Sequence, residues 1–225
     1  MAHARRPMRS LLTPLVVILF AAGVVGGLVR ISAPASSPDR GGETLPVLAV
    51  GAADRQKGPF EAPITIIEYS DFQCPACAYY EPLRVRLAEE FSSEVRIVYR
   101  HFPLSEFHMN ALPAAYAAEA AGEQGAFWEM HDVLFYKQAE WVPLVNSREA
   151  FARYAAEIGI DVERFKRSMS DAVLRGKVRA DYEGGVELRI AGTPTFFVNG
   201  ERIEPNPRTY DEFKGLILSA LSEAR

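Results

Sequence analysis

The chain has only two cysteines, Cys74 and Cys77, and they are separated by Pro75 and Ala76. Two thiols at this spacing, placed where a helix begins, can carry out thiol–disulfide exchange. One thiolate attacks a disulfide, and the second closes the resulting mixed disulfide. The first turn of a helix has unpaired N–H groups and a partial positive charge, and both favour an anion. A thiolate at Cys74 is therefore expected, with its pKa drawn below the free value of about 8.5. Pro75 suits the first helical position because it has no N–H to lose there. Cys74 is expected as the exposed nucleophile and Cys77, one turn inward, as the resolving thiol. The plainer readings are a structural zinc site and an inert or static pair. Zinc needs four ligands, and beyond the cysteines the chain offers only four scattered histidines, so no metal is expected.

Two further features bear on the same chemistry. Gly192-Thr193-Pro194-Thr195 precedes the apolar run Phe196-Phe197-Val198. Proline is excluded from a central strand, so Pro194 must stand at its entry; an ordinary trans turn proline is the simpler alternative. Glu68 lies six residues before Cys74 on a strand expected to be buried. Burial disfavours a carboxylate, raises its pKa and makes it a candidate proton acceptor for Cys77, unless Glu68 faces water at the strand end. His101 and His108 could approach the redox pair, with capping or packing as an equal alternative. Trp128, Met130 and His131 read as a core face with a satisfied histidine.

The elements that must position these residues follow from periodicity. Ile64 to Tyr69 is an apolar, β-branched run and reads as a buried strand. A helix starts at Cys74/Pro75, with Ala76, Tyr80, Leu83, Leu87 and Phe91 on one face and Pro82 inside it. Val95, Ile97 and Tyr99 alternate along a second strand, which completes a βαβ unit. Asn110 can cap an Ala-rich helix ending at Gly122; Phe127, Met130 and Leu134 mark another, Ser147 and Gly159 bracket a third, and Asp161 opens a fourth. Helix continues from Asp171 to Leu188. Asn199-Gly200 signals a hairpin between Thr195–Val198 and Glu201–Ile203, and a helix carrying Phe213, Leu216, Ile217, Ala220 and Leu221 closes the chain. The expected fold class is α/β: a βαβ unit and a ββα unit separated by an all-helical insertion at about 105–188.

The 225 residues hold one such domain and an appendage. Residues 1–10 form an n-region with Arg5, Arg6 and Arg9, and Leu11 to Val29 is a run without charge. As a helix that run would span roughly 28 Å, close to a bilayer core. With the arginines ahead of it, a transmembrane signal-anchor at 11–29 is expected, holding the body outside the cytoplasm at the periplasmic or cell-surface side; a cleaved signal peptide followed by secretion is the alternative. Residues 30–57 read as a flexible tether, with a short extra strand at Leu45 to Val50, and are too short for a separate dimerisation domain, so a monomer is expected. Beyond residue 30 the chain carries 21 basic against 29 acidic residues, which argues against nucleic acid as a partner.

Ser70-Asp71-Phe72-Gln73 before the cysteine pair, Thr193-Pro194 before the third strand, the helical insert and the closing helix together make residues 58–225 resemble the thioredoxin-fold superfamily, in its DsbA-like branch. That resemblance implies a thioredoxin fold, a cis peptide bond at Pro194 beside Cys74, and backbone groups of Thr193 offered to a substrate peptide, with Pro75 and Ala76 also at the substrate contact. It places a buried acid at Glu68 and makes Cys74, Cys77, Glu68 and Pro194 the catalytic set. No cofactor is implied beyond the Cys74–Cys77 disulfide itself. The implied activity is an oxidase that donates this disulfide to exported proteins with free thiols and is recharged by a quinone-linked membrane oxidoreductase of the DsbB or vitamin-K-epoxide-reductase-like type. A reductase or isomerase of the same fold, or a redox-inactive chaperone or binding module, are the alternatives. Ala76 weakens the oxidase reading, since many such oxidases carry a polar residue there.

Overall fold

Ile64–Ser70 (β2) is the central strand, and all of its residues except Thr65 are buried. The computed structural model describes residues 45–223; the expected membrane segment at 11–29 lies outside them. Among the described residues no helix is long and apolar enough to cross a membrane. Four more strands flank β2: Arg55–Lys57 (β1), Val95–His101 (β3), Thr195–Val198 (β4) and Glu201–Arg202 (β5), in the order β1-β3-β2-β4-β5. β2 and β3 run parallel, joined by the crossover helix Pro75–Glu90 (α1), whereas β4 runs antiparallel to β2. The observed architecture is the mixed α/β fold expected, with the β4–β5 hairpin followed by the closing helix Tyr210–Glu223 (α8).

Between β3 and β4 lie Ala111–Gly122 (α2), Phe127–Tyr136 (α3), the single turn Gln138–Trp141 (α4), Arg148–Glu157 (α5), Val162–Ser168 (α6) and Ala172–Glu187 (α7). Asp161 and Asp171 cap α6 and α7 through their carboxylates. Asn110 and Ser147 do not cap with their side chains, contrary to the sequence-based expectation. Both are buried, and their polar atoms serve each other. The Ser147 hydroxyl donates to Asn110 Oδ1 at 2.9 Å, and Asn110 Nδ2 donates to the carbonyls of Val142 (3.3 Å) and Leu144 (2.8 Å). They staple the chain between α4 and α5 to the start of α2.

The expected strand at Leu45 to Val50 is instead a 3-10 turn at Pro46–Leu48, and the edge strand falls later, at β1. Pro46 has no N–H for a ladder and favours the turn. Arg100 then pins the segment: its guanidinium donates to the carbonyls of Val47 and Ala49 and pairs with Asp54 at 3.0 Å. Residues 45–57, expected to end the tether, thus belong to the folded body.

Side chains alternate across β2. Ile64 and Ile66 face α1 and α8, where they meet Tyr80, Leu87, Phe213 and Ile217, while Ile67 and Tyr69 face Leu48, Phe102 and Ile190. Glu68 shares the parity of Ile64 and Ile66 and so points towards α1. Helix α1 buries Cys77, Tyr80, Arg84 and Leu87. Ala76, expected on this face, is exposed, and Arg84 occupies it instead. At the hairpin, Asn199 and Gly200 both take positive φ (48° and 86°), as a two-residue turn of this hand requires. On the other side of the sheet, a Cβ at Gly185 in α7 would collide with the Phe102 ring and crowd Tyr69 at 3.2 Å. Gly185→Ala is expected to lower stability by about 1–3 kcal/mol despite its better helix propensity. Thermal unfolding of the variant checks this; an unchanged or raised midpoint would show that Phe102 can yield.

Candidate redox site

Because β4 is antiparallel to β2, with Tyr69 opposite Thr195, the turn that enters β4 lies where β2 ends. Four residues beyond Ser70 the chain reaches Cys74, the N-cap of α1. The Thr193–Pro194 peptide is cis, and the Thr193 carbonyl oxygen stands 3.4 Å from Cys74 Sγ. The turn is held by the Thr195 hydroxyl donating to the Gly192 carbonyl (2.8 Å) and by Asn206 Nδ2 donating to the Pro194 carbonyl (2.7 Å). Residues 119 positions apart therefore meet at one point through sheet register alone.

Both cysteines are free thiols in the structure. Cys74 is less open than expected of an exposed nucleophile: 7% of its surface reaches solvent, against 1% for Cys77. The Thr193 carbonyl lies against its sulfur, while the next two residues along the chain, Pro75 and Ala76, are exposed. The two thiols are driven apart electrostatically. Cys74 is pulled down to about 5, first by the Cys77 thiol, then by the Thr193 side chain and the N–H groups of Cys77 and Ala76, against burial that pushes it up. Cys77 is pushed well above its ordinary value by burial first, and then by the neighbouring Cys74 and Glu68. At neutral pH one thiolate thus sits at the helix end, and its partner is a thiol that needs a base before it can attack.

Glu68 is 4% exposed. Burial raises its carboxyl to about 7, opposed chiefly by Arg84, with Glu81 and Cys74 adding to the rise. A carboxyl poised near neutrality beside Cys77 can both accept and return a proton.

The Ser70–Gln73 stretch braces the pair. Asp71, buried, accepts at Oδ1 from the Gln73 N–H (2.8 Å) and at Oδ2 from the Leu104 N–H (3.0 Å), and pairs with His108 Nδ1 at 2.6 Å. The Asp71 carbonyl accepts the Cys74 N–H at 3.0 Å. Phe72 stacks on Tyr99 and meets His131 and Phe135. Gln138, on the insert's α4, donates from Nε2 to the carbonyls of Phe72 (2.8 Å) and Cys74 (3.0 Å). Of the two histidines after β3, His108 braces Asp71, and His101 pairs with buried Glu119 at 2.9 Å.

Sequence reasoning missed Arg84, which is 2% exposed, forms an ion pair with Glu81 and lies 3.6 Å from Asp132. Its position seven residues after Cys77, on the same helix face, was the available signal. It also missed Gln138, for which a four-residue turn offers no periodic signal. His131 is buried as expected of a core face but only half satisfied: Nδ1 pairs with Asp132 at 2.9 Å, and Nε2, 3.9 Å from Glu81, makes no hydrogen bond. Glu81, His131 and Asp132 bring potential ligand atoms within 4.8 Å of one another. The Arg84 guanidinium already lies against both carboxylates, so a cation there would meet a fixed positive charge.

The Glu68 carboxyl is raised on folding, so its uncharged form stabilises the protein below the unfolded value of 4.5, and that stabilisation is lost as pH climbs through about 7. Above neutrality the buried charge costs on the order of 3 kcal/mol. Glu68→Gln is expected to gain stability over the parent by about 2 kcal/mol more at pH 8 than at pH 5. Urea titrations of both proteins, reduced, at the two pH values measure this difference; a gap independent of pH would place Glu68 in contact with water.

The family model described as thioredoxin matches residues 52–218. A stretch of 172 residues, 76% of the chain, is 42% identical to part of the Na(+)/H(+) antiporter NhaA 3 of Salinispora tropica, and 182 residues (80%) are 42% identical to part of the antiporter NhaA 1 of Salinispora arenicola. The chain spans about a quarter of the length of these relatives (25% and 24%). Among solved structures, oxidised BdbD of Bacillus subtilis is similar with a TM-score of 0.67 at 25% identity, over 76% of this chain and 94% of that one. The alpha-DsbA1 of Wolbachia pipientis shares the fold with a TM-score of 0.68 at 22% identity, over 79% and 96%. With its cysteine pair at the head of α1 and the cis-proline turn against it, the chain belongs to the thioredoxin family.

Proposed function

We propose that this protein is an extracytoplasmic dithiol oxidase that transfers the Cys74–Cys77 disulfide to exported proteins with free thiols. The observation that carries this is the position of Cys74 at the N-cap of α1, where the helix end favours a thiolate. Whatever stabilises the reduced pair makes its disulfide a stronger oxidant. A thiol drawn to about 5 stabilises the reduced form at pH 7 by roughly 2.7 kcal/mol relative to an unperturbed one, equivalent to roughly 60 mV. In the oxidised state a client thiolate attacks Cys74 Sγ, the Cys74–Cys77 bond breaks, and Cys77 leaves and takes the proton held by Glu68. A second client thiolate then attacks the client sulfur of the mixed disulfide, and Cys74 departs as the stabilised thiolate. The client loses two electrons and two protons: the enzyme ends with Cys74 as thiolate and Cys77 as thiol, one client proton restores Glu68 through solvent, and the other is released. Thr193, with exposed Pro75 and Ala76, forms the rim against which the client chain lies.

Regeneration requires an electron acceptor, assigned here to a quinone-linked membrane oxidoreductase of the DsbB or vitamin-K-epoxide-reductase-like type. The uncharged run at 11–29 anchors the monomer in the membrane near that partner. Stretches 42% identical to this domain sit within Na(+)/H(+) antiporters, which supports a working place at a membrane. Ala76 favours the second reading, a reductase or isomerase, because it adds no charge or hydrogen bond to stabilise Cys74.

Equilibration with glutathione at pH 7 is expected to show a disulfide roughly 60 mV more oxidising than an unperturbed pair; a strongly reducing potential would assign the protein to the reductases. Cys74→Ser should abolish oxidation of a reduced client, and Cys77→Ser, offered a client that already carries a disulfide, should accumulate the Cys74–client mixed disulfide as the Cys74 thiolate displaces one client sulfur, visible by mass spectrometry. Full oxidase activity of Cys74→Ser would refute the assignment of the nucleophile. The full-length chain should stay with membranes through alkaline carbonate extraction, and release would point to a cleaved or peripheral form.

A further inference from the structure

Arg84 is a guanidinium in the core of a redox protein, and the exchange reaction as described makes no use of it. Its side chain is 3% exposed. It pairs with Glu81 through two nitrogens, lies 3.6 Å from Asp132 on α3, and rests over the Trp128 ring at 5.2 Å. Its remaining terminal nitrogen, Nη1, is buried and has no protein partner. Glu81 and Asp132 border a surface cleft of about 690 Å³ between α1 and α3, so this side of the cluster is open to water. The opposite side faces the sheet, where Glu68 is turned towards α1 by its strand parity, with no direct ion pair between the two.

We propose that Arg84 is a positioning residue of thiol–disulfide exchange: its guanidinium, buried on the face of α1 towards which strand parity turns Glu68 and anchored on its solvent side by Glu81 and Asp132, holds Glu68 available as the anion that takes the Cys77 proton. The inference rests on the assignment of Glu68 as the proton acceptor. The groups around Glu68 leave this task to Arg84. Ser70 follows on its own strand, and the hydroxyls of Ser70 and of Tyr99, which is opposite Glu68 on β3, are both buried without a partner. Phe196 faces it from β4, and α8 turns the apolar Phe213 and Ile217 to this side. Helix α1 contributes Cys74, Cys77, Glu81 and Arg84, and α3 contributes His131 and Asp132 at Arg84. Among these Arg84 is the one cation fixed at every pH. Burial pushes Glu68 up; Arg84 exerts the largest opposing pull, and Glu81 pushes the same way as burial. Arg84 is itself held charged by Glu81, Glu68 and Asp132 against a desolvation that disfavours it.

The step at issue is resolution of a mixed disulfide. Glu68 takes the proton from Cys77, the Cys77 thiolate attacks Cys74 Sγ, the Cys74–Cys77 bond forms, and the former partner leaves as a thiolate. Oxidised glutathione supplies that partner: added to the reduced full-length protein, it loads Cys74 with glutathione, and the second step is followed by acid quench and mass spectrometry from pH 5 to pH 9. The rate should rise through a midpoint set by Glu68. Arg84→Met should move that midpoint up by about one pH unit, with a rate about tenfold lower on the acid side, while Arg84→Lys stays near the parent. Glu81→Gln should move it down, since it removes a like charge and frees the guanidinium. Opposite shifts from neighbouring substitutions are not produced by general loosening of the core. The Glu81→Gln arm stands even where Arg84→Met folds poorly. Shifts of the same sign, or an unmoved midpoint in Glu81→Gln, would overturn the role of Arg84. Glu68→Gln separates the two failures: a midpoint that survives in that variant would remove Glu68 as the acceptor, and the inference with it.

Discussion

Everything chemical in this protein depends on the contact between Cys74 at the head of α1 and the Thr193–Pro194 turn at the entry to β4. The contact is non-local: an insertion of six helices lies between the two segments. It is enforced by the sheet, in which parallel β3 and antiparallel β4 flank β2, so that the end of β2 and the start of β4 coincide. At the sulfur, the helix end and the Cys77 thiol act in the same sense, and each makes a negative charge on Cys74 less costly.

The same arrangement separates the two cysteines by environment. One turn of helix takes the chain from the N-cap to a position sealed among Phe72, Tyr99 and the insert. The outer sulfur holds a charge and the inner one a proton, as a nucleophile and a resolving thiol require. An inner thiol of this kind needs a base within the protein, and Glu68 is the buried carboxyl that strand parity turns towards α1. The carboxylate is costly where it stands, and that cost keeps its pKa close to neutrality.

The helical insertion also contributes to the site. Through Gln138 it donates to the carbonyls of Phe72 and Cys74, and the loop ahead of α2 binds Asp71 through His108 and the Leu104 N–H. The segment leading into the cysteine pair is therefore clamped from the insert side, while the cis-proline turn approaches from the sheet side. Arg100 performs a similar task at the far edge by tying residues 47–54 to the sheet.

Local chemistry was legible in the sequence. The spacing of Cys74 and Cys77, Pro75 at the first helical position, the β-branched run of β2 and the Asn199-Gly200 turn each act over a few residues, so their physics can be read from neighbours in the chain. What depended on packing could not be read that way. Asn110 and Ser147 look like helix caps, yet burial made them partners of each other. Residues 45–57 look like tether, yet Arg100, some fifty positions away, draws them into the body. Arg84 looks like a solvated helix charge until α3 and the sheet close around it. The degree to which Cys74 is covered, and the balance of charge around Glu68, arise from desolvation, and desolvation exists only once distant segments have been brought together.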